Sequence, residues 1–299
     1  MRILITGSNG LLGQKLVAAL RNDPGTELIA TSRGADRTPV PLGDRYRAMD
    51  ITVQAEVDRV FDAVRPEAVI HAAAMTNVDA CETDPEACRL QNVTATQHLV
   101  DAAKRHGSHF IFLSTDFIFD GLDGPYREED AAAPLSVYGH SKLEGERIVM
   151  GAGLAKWAIA RTIIVFGVAP GLSRGNVVLW AKGALEKGQP IKVVDDQWRM
   201  PTLAEDLADG CIRIAKRGAT GIYNLSGPDG MSILELVTRV GRFFNLDTSL
   251  VTPVKSDALG QPAKRPPRTG FVLDKARRDL GYAPHGFEDG LAVVRDQLK

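Results

Sequence analysis

Cysteine is scarce in this chain of 299 residues: Cys81, Cys88 and Cys211 are the whole complement. Three thiols make no disulfide framework. Cys81 and Cys88 lack the spacing and the histidine company of a zinc site, so all three read as small buried side chains. Long apolar runs are missing as well. No segment approaches the ~18 residues of a membrane span, and the apolar start at 2–5 is too short for a secretory leader. A cytoplasmic address is expected, with no membrane partner. An excess of one charge is also absent: 36 basic residues face 37 acidic ones, a net charge of −1. That balance speaks against a nucleic-acid partner. Neither an internal repeat nor a low-complexity stretch is seen.

What the chain does have begins at its N-terminus. The apolar run stops at Gly7, and Gly7-Ser8-Asn9-Gly10-Leu11-Leu12-Gly13 leads into an amphipathic stretch reaching about residue 21. This reads as strand, glycine turn and helix. In a dinucleotide turn the first glycine permits the bend, the second lets a pyrophosphate approach, and the third lets helix and strand pack. The first helical amides then face the phosphates. Gly7, Ser8, Asn9, Gly10, Leu11, Leu12 and Gly13 are therefore cofactor candidates, although the spacing is GxxGxxG and a plain tight turn would look the same. The second strand, 27–31, ends in Thr31-Ser32-Arg33 with Arg37 beyond. An NAD site would carry an acid there for the adenosine ribose. Ser32 and Arg33 instead point to NADP(H), with NADH as the alternative. Asp50, followed by Ile51, sits either where an adenine amino group would be met or as a turn residue. Thr52 is the expected cap of a helix whose apolar positions Val53, Val57, Val60, Phe61 and Val64 keep a helical period.

A strand over 68–71 ends in Ala72, Ala73 and Ala74, small residues that leave a flat floor for a cofactor. The loop Met75-Thr76-Asn77-Val78 follows. A long helix from Asp84 to about residue 106 then contains Asn92, a position that ordinarily faces water. Thr76 and Asn92 are carried as cofactor candidates. A strand over 109–113 runs into Ser114-Thr115-Asp116. The loop 117–135 exceeds the ~12–15 residues beyond which loops are usually functional. A helix over 137–150 and a strand over 157–162 complete an expected strict β-α alternation. That pattern is a Rossmann-type doubly wound parallel sheet, which binds ligands at its strand C-termini. Gly7, Ala72 and Thr115 fall at such ends. After residue 162 come a turn-rich segment at 167–175, a helix over 176–187 and the loop 195–202. The expected division is 1–162 for an NAD(P)-binding domain and 163–299 mainly for a smaller α/β substrate domain. Segments near 203–226 would return to the first.

Tyr138 and Lys142 stand four residues apart, so a helix projects them from one face. Ketone reduction needs a hydride donor, a proton donor and a group to hold the carbonyl. A nicotinamide would give the hydride, Tyr138 the proton, and Thr115 the hydrogen bond. A phenol titrates near ~10, and a nearby ammonium lowers it. Lys142 is expected to do so while bonding the nicotinamide ribose. His140 lies on another helix face and His71 reads as packed. Neither has a partner that suggests a metal, so no metal is expected.

The glycine motif with Tyr138-Gly139-His140-Ser141-Lys142 resembles the extended short-chain dehydrogenases/reductases. Within that superfamily, Ser114-Thr115-Asp116-Phe117-Ile118-Phe119-Asp120-Gly121 is similar to the STDYVFDG run of dTDP-4-dehydrorhamnose reductases. Thr76 to Glu82 resembles their TAVDKAE loop. Arg161-Thr162, Asp196-Gln197, Pro201-Thr202, Asp206-Leu207-Ala208, Arg265-Pro266 and Leu273-Asp274 fit too. The resemblance implies NADPH-dependent reduction of a 4-keto deoxysugar nucleotide, with Thr115, Tyr138 and Lys142 catalytic. For such a substrate the candidates are Thr76, Asn77, Val78, Thr115, Asp116, Asn176, Arg199 and Arg265. Arginines grip a pyrophosphate in a bidentate way, although an interdomain salt bridge is the other reading of both. Met75 and Ile164 depart from the family's Tyr and Trp. The regulatory subunit of methionine adenosyltransferase shares the scaffold, so a non-catalytic nucleotide-binding subunit is one alternative and a nucleotide-sugar epimerase another. Dehydratases of this group need an acid pair beside Thr115, and Asp116-Phe117 supplies one acid. A homodimer is possible.

Overall fold

Strands buried on both faces need helices on both sides, which a parallel sheet with crossovers provides. The computed structural model, which describes residues 1–172 and 175–299, has this arrangement. Strand β1 (Arg2–Thr6) lies between β2 (Glu27–Ser32) and β4 (Ala68–His71). Beyond β2 lies β3 (Tyr46–Ala48). Beyond β4 follow β5 (His109–Thr115), β6 (Trp157–Thr162) and the strand Gly221–Asn224. All seven run parallel. The order reverses at β1, so a crevice opens where β1 and β4 end, at Gly7 and Ala72.

One face is covered by α1 (Leu11–Leu20) and the helix Ala204–Arg217, which bury Leu16, Val17, Leu207, Cys211 and Ile214. The other is covered by α2 (Gln54–Val64), α5 (Ala95–His106) and α6 (Val137–Gly151), around Val57, Phe61, Leu99 and Phe112. A separate core joins the helices Val177–Glu186, Ile233–Phe243 and Phe287–Gln297 through Val178, Leu236, Val240 and Leu291. Short strand pairs fasten this lobe, among them Val165–Phe166 with Thr202–Leu203 and Ile191–Val194 with Val251–Val254. None of the described helices is long and apolar enough to cross a membrane.

Three local expectations need correction. The alternation is not strict: residues 33–45 join β2 to β3 with only a 3-10 turn at Gly43–Arg45. Helix α2 starts at Gln54 with Val53 at its cap, because the Thr52 amide and hydroxyl are already bonded to Asp50. The long helix expected from Asp84 is α4 (Pro85–Arg89), a π-helical turn at Leu90–Thr94, and α5, with a separate short α3 (Val78–Thr83) before it. Residues 173 and 174 of the turn-rich segment lie outside the described residues.

Candidate active site

The glycine turn is built by close backbone approach. Gly7 has φ +73°, and a Cβ there would lie 2.8 Å from the backbone of Ala73. A Cβ on Gly13 would lie 2.1 Å from the Gly7 carbonyl oxygen, so α1 packs on the turn only with glycine at this position. No side chain caps α1 at Gly10, which leaves its first amides for an anion. A cavity runs from this turn across the sheet ends. Gly7, Gly10, Ser32, Arg33, Asp50, Ile51, Ala72, Ala73 and Ala74 border it, together with Thr31, Met49, Thr52 and Gln91. The exposed Arg33 stands at the end of β2. Burial works against the Asp50 charge, but bonds from Thr52 and the Arg33 guanidinium hold its carboxyl below the usual range. Asp50 is thus a turn residue that also faces the cavity.

Other cofactor candidates support the turn from behind. Asn9 donates to the Ala35 carbonyl at 2.9 Å and accepts from the Arg37 amide at 2.8 Å, which ties the loop after β2 to the glycines. Ser8 is fully buried, and its Oγ has no partner among the described residues. Leu11 and Leu12 are half-buried, and Leu12 packs on the core under the sheet. The cradle of glycines, the uncapped helix and the basic end of β2 together fit a phosphorylated dinucleotide.

Asn92 has a different place from the one expected. It is buried, and its amide accepts from the Met75 N–H at 2.8 Å and donates to the Met75 carbonyl at 3.0 Å and to Ser141 Oγ at 3.0 Å. A polar side chain in a core needs such partners. Asn92 therefore holds the loop after the alanines against α6.

Helix α6 brings the reactive groups together. Ser136 caps it by accepting from the Gly139 amide at 3.2 Å. Gly139 and Gly145 let it approach closely: a Cβ on each would meet the Phe117 carbonyl oxygen at 2.2 Å and the Phe112 ring at 2.5 Å. Tyr138 is buried and stands edge-on to Phe117, with the Thr115 hydroxyl acting on its phenol. Burial raises its phenol above the ordinary value; Thr115 opposes this, while the Asp116 charge and the Cys81 and Cys88 thiols add to it. Lys142 does not produce the expected lowering. Its Nζ lies 4.0 Å from the centre of the Phe112 ring. Burial pushes it down to about 8, against the charge of Glu146 one turn further along α6. Glu146 in turn forms a two-pronged buried pair with Arg161, at 3.0 and 2.8 Å. The 138, 142, 146 spacing carried that signal in the sequence.

Several substrate candidates are occupied within the chain. Asp116 is buried, bonded by the Thr115 and Thr269 hydroxyls, with Arg199 Nε at 3.7 Å. Arg199 is buried and donates to the carbonyls of Trp198 and Pro266. It braces two segments rather than facing a pyrophosphate. Arg265 pairs with Asp79 at 2.7 Å and is partly accessible. Asn176 caps the helix Val177–Glu186 and donates to the Gly167 carbonyl at 2.7 Å. Thr76 is exposed, as is Asn77, which caps α3. Val78 and Met75 pack against Tyr138 and the two buried thiols. Ile164, just past the end of β6, has φ +33°, an unusual conformation for a β-branched residue. His71 is packed between Phe110 and Phe112 and bonded to Thr6 and Thr96, and His140 is exposed.

A seven-stranded parallel sheet of this order, with a Tyr–Lys helix against β5, defines the extended short-chain dehydrogenase/reductase class. Within it, residues 1–299 match the RmlD substrate binding domain family, and the chain belongs to that family. It is 32% identical over 307 residues to a dTDP-4-dehydrorhamnose reductase of Aggregatibacter actinomycetemcomitans, covering 98% of each. It is 30% identical to methionine adenosyltransferase 2 subunit beta of Xenopus laevis, covering 87% of this chain and 77% of that one. The crystal structure of dTDP-4-dehydrorhamnose reductase from Bacillus anthracis str. Ames in complex with NADP superposes with a TM-score of 0.83 at 26% identity, over 99% of both chains.

Proposed function

We propose that this chain is an NADP(H)-dependent reductase of a 4-keto deoxysugar nucleotide. The observation that carries the reading is Tyr138 buried against Thr115 at the end of β5. A raised phenol stays protonated at neutral pH, which is the form a proton donor to a ketone must have. Tyr138 delivers the proton to the carbonyl oxygen, with Thr115 beside it. Lys142, a cation at neutral pH, holds the nicotinamide ribose. The glycine turn, Ser32, Arg33, Asp50 and the alanines hold the dinucleotide, which supplies the hydride when bound. Residues 1–162 with the returning segment near 203–226 form the cofactor half, and the rest mainly the sugar half. Thr76, Asn77, Val78 and Arg265 border the sugar nucleotide. The NADP-bound relative and the basic end of β2 favour NADPH over NADH.

The likeness to a methionine adenosyltransferase subunit, with Met75 and Ile164 at the site, supports a second reading as a nucleotide-binding subunit without turnover. The test is a panel of dTDP-linked and other 4-keto-6-deoxysugar nucleotides with NADPH and NADH in parallel. Cofactor oxidation with one sugar supports the reductase. Tight cofactor binding with no oxidation on any sugar favours the subunit, and sugar conversion without net oxidation an epimerase.

A further inference from the structure

Asp116 follows Thr115 at the end of β5, and its carboxylate joins three separate parts of the chain. Thr115 Oγ1 donates to Oδ1 at 3.1 Å. Thr269 donates to Oδ2, and Arg199 Nε lies 3.7 Å from the same oxygen. Thr269 belongs to residues 263–273, an irregular segment that crosses the site. The Arg268 amide donates to the Gly121 carbonyl at 3.2 Å, and the Tyr126 amide donates to the Gly270 carbonyl at 2.7 Å. The carbonyl of Pro266 accepts from Arg199 at 2.8 Å, so this segment also seats the arginine. Asp116 itself is 2% exposed.

A carboxylate so deeply buried is costly, and stability alone is a weak reason to keep it beside a reactive hydroxyl. We propose that Asp116 is a positioning residue for the reduction: it fixes the Thr115 hydroxyl against Tyr138, and does so only while residues 263–273 are seated. The inference rests on the reductase reading of the same site. One hydroxyl has one hydrogen and two lone pairs. The hydrogen goes to Asp116 and one lone pair takes the Phe117 amide at 3.3 Å, so Thr115 loses its free rotation and keeps one lone pair in a set direction. Thr269 and Arg199 hold the carboxylate on its other oxygen, which makes the Thr115 geometry depend on a segment from the far end of the chain. The charge reaches Tyr138 too. Facing the phenol are Asp116, the Cys81 and Cys88 thiols and the Thr115 hydroxyl. Facing Asp116 is Arg199, with Arg265 beyond it.

Two substitutions separate this role from a structural one. Asp116→Asn removes the charge, and Thr269→Val removes the segment's bond while leaving the Asp116–Arg199 pair. Both are expected to lower kcat about tenfold or more with NADPH affinity unchanged. The phenol of Tyr138 is followed by ultraviolet difference titration against Tyr138→Phe. In Asp116→Asn it should titrate at lower pH; in Thr269→Val it should not move. Unchanged kcat in both variants overturns the proposal, whatever happens to the melting temperature. So does an unmoved phenol in folded Asp116→Asn. If Asp116→Asn does not fold, kcat of Thr269→Val decides alone. Failure of the reductase reading has a different signature: the unsubstituted protein binds NADPH and turns over no sugar nucleotide, which removes the proposal with it.

Discussion

Lys142 lays its ammonium over the Phe112 ring, 4.0 Å from the centre, and makes no hydrogen bond or ion pair among the described residues. Burial holds it at about 8, against an ordinary lysine value of 10.5. Below pH 8 both folded and unfolded chains carry the proton, and the fold bears the whole cost of a buried charge, ~3 kcal/mol. As the pH rises from 8 to 10.5 the folded chain loses the proton first, and the cost fades. Lys142→Met should therefore raise the melting temperature near neutral pH, with the gain shrinking in alkaline buffer, and should abolish turnover. Parallel thermal melts and NADPH assays check this. A loss of stability at neutral pH would contradict it.

Tyr138→Phe removes one oxygen and leaves the edge-on contact with Phe117. Its expected effect is a fall in kcat of about a hundredfold or more, in the range of a lost general acid. NADPH binding, measured by fluorescence titration, should remain near that of the unsubstituted chain. Equal turnover would reassign the proton donor.

The parallel sheet was legible because alternating buried strands and periodic helices are local patterns, and the glycine turn because Gly7 and Gly13 answer to backbone sterics. Asn92 was not. The expectation rested on residue type, whereas the helical face it shares with the buried Cys88, Ala95, Thr96 and Leu99 points inward. Arg199 was left with two readings for another reason. A guanidinium suits a pyrophosphate and a buried carboxylate equally, and only the arrival of residues 263–273 decides between them. Asp116 and Thr269, which meet beside Arg199, stand 153 positions apart in sequence. No local pattern reports such a meeting.

Gly13→Ala tests the turn itself. The new Cβ would meet the Gly7 oxygen, the Ser8 Cα and the Gly7 carbon at 2.1, 2.6 and 2.8 Å, all backbone atoms that no side-chain rotation can clear. Loss of NADPH binding and destabilisation by about 2 kcal/mol or more are expected. Gly25→Ala, where a Cβ meets nothing within 4 Å, is the control and should bind normally.

His71 links the cofactor turn to α5. Its ring bonds Thr6 Oγ1 at 2.7 Å and Thr96 Oγ1 at 3.3 Å, and Thr6 also accepts from the Ala73 amide. Burial, with the nearby Lys142 charge, lowers its pKa from 6.5 to about 3. Between these values the unfolded chain binds a proton that the folded chain does not. Stability from this group is thus complete above pH 6.5 and is lost as the pH falls toward 3, by up to ~5 kcal/mol. His109, lowered to about 4 by burial, acts in the same direction. Urea unfolding at descending pH should show stability falling below pH 6.5, and His71→Gln should flatten that slope while lowering stability at neutral pH. An identical slope in the variant would mean that other groups govern the acid response.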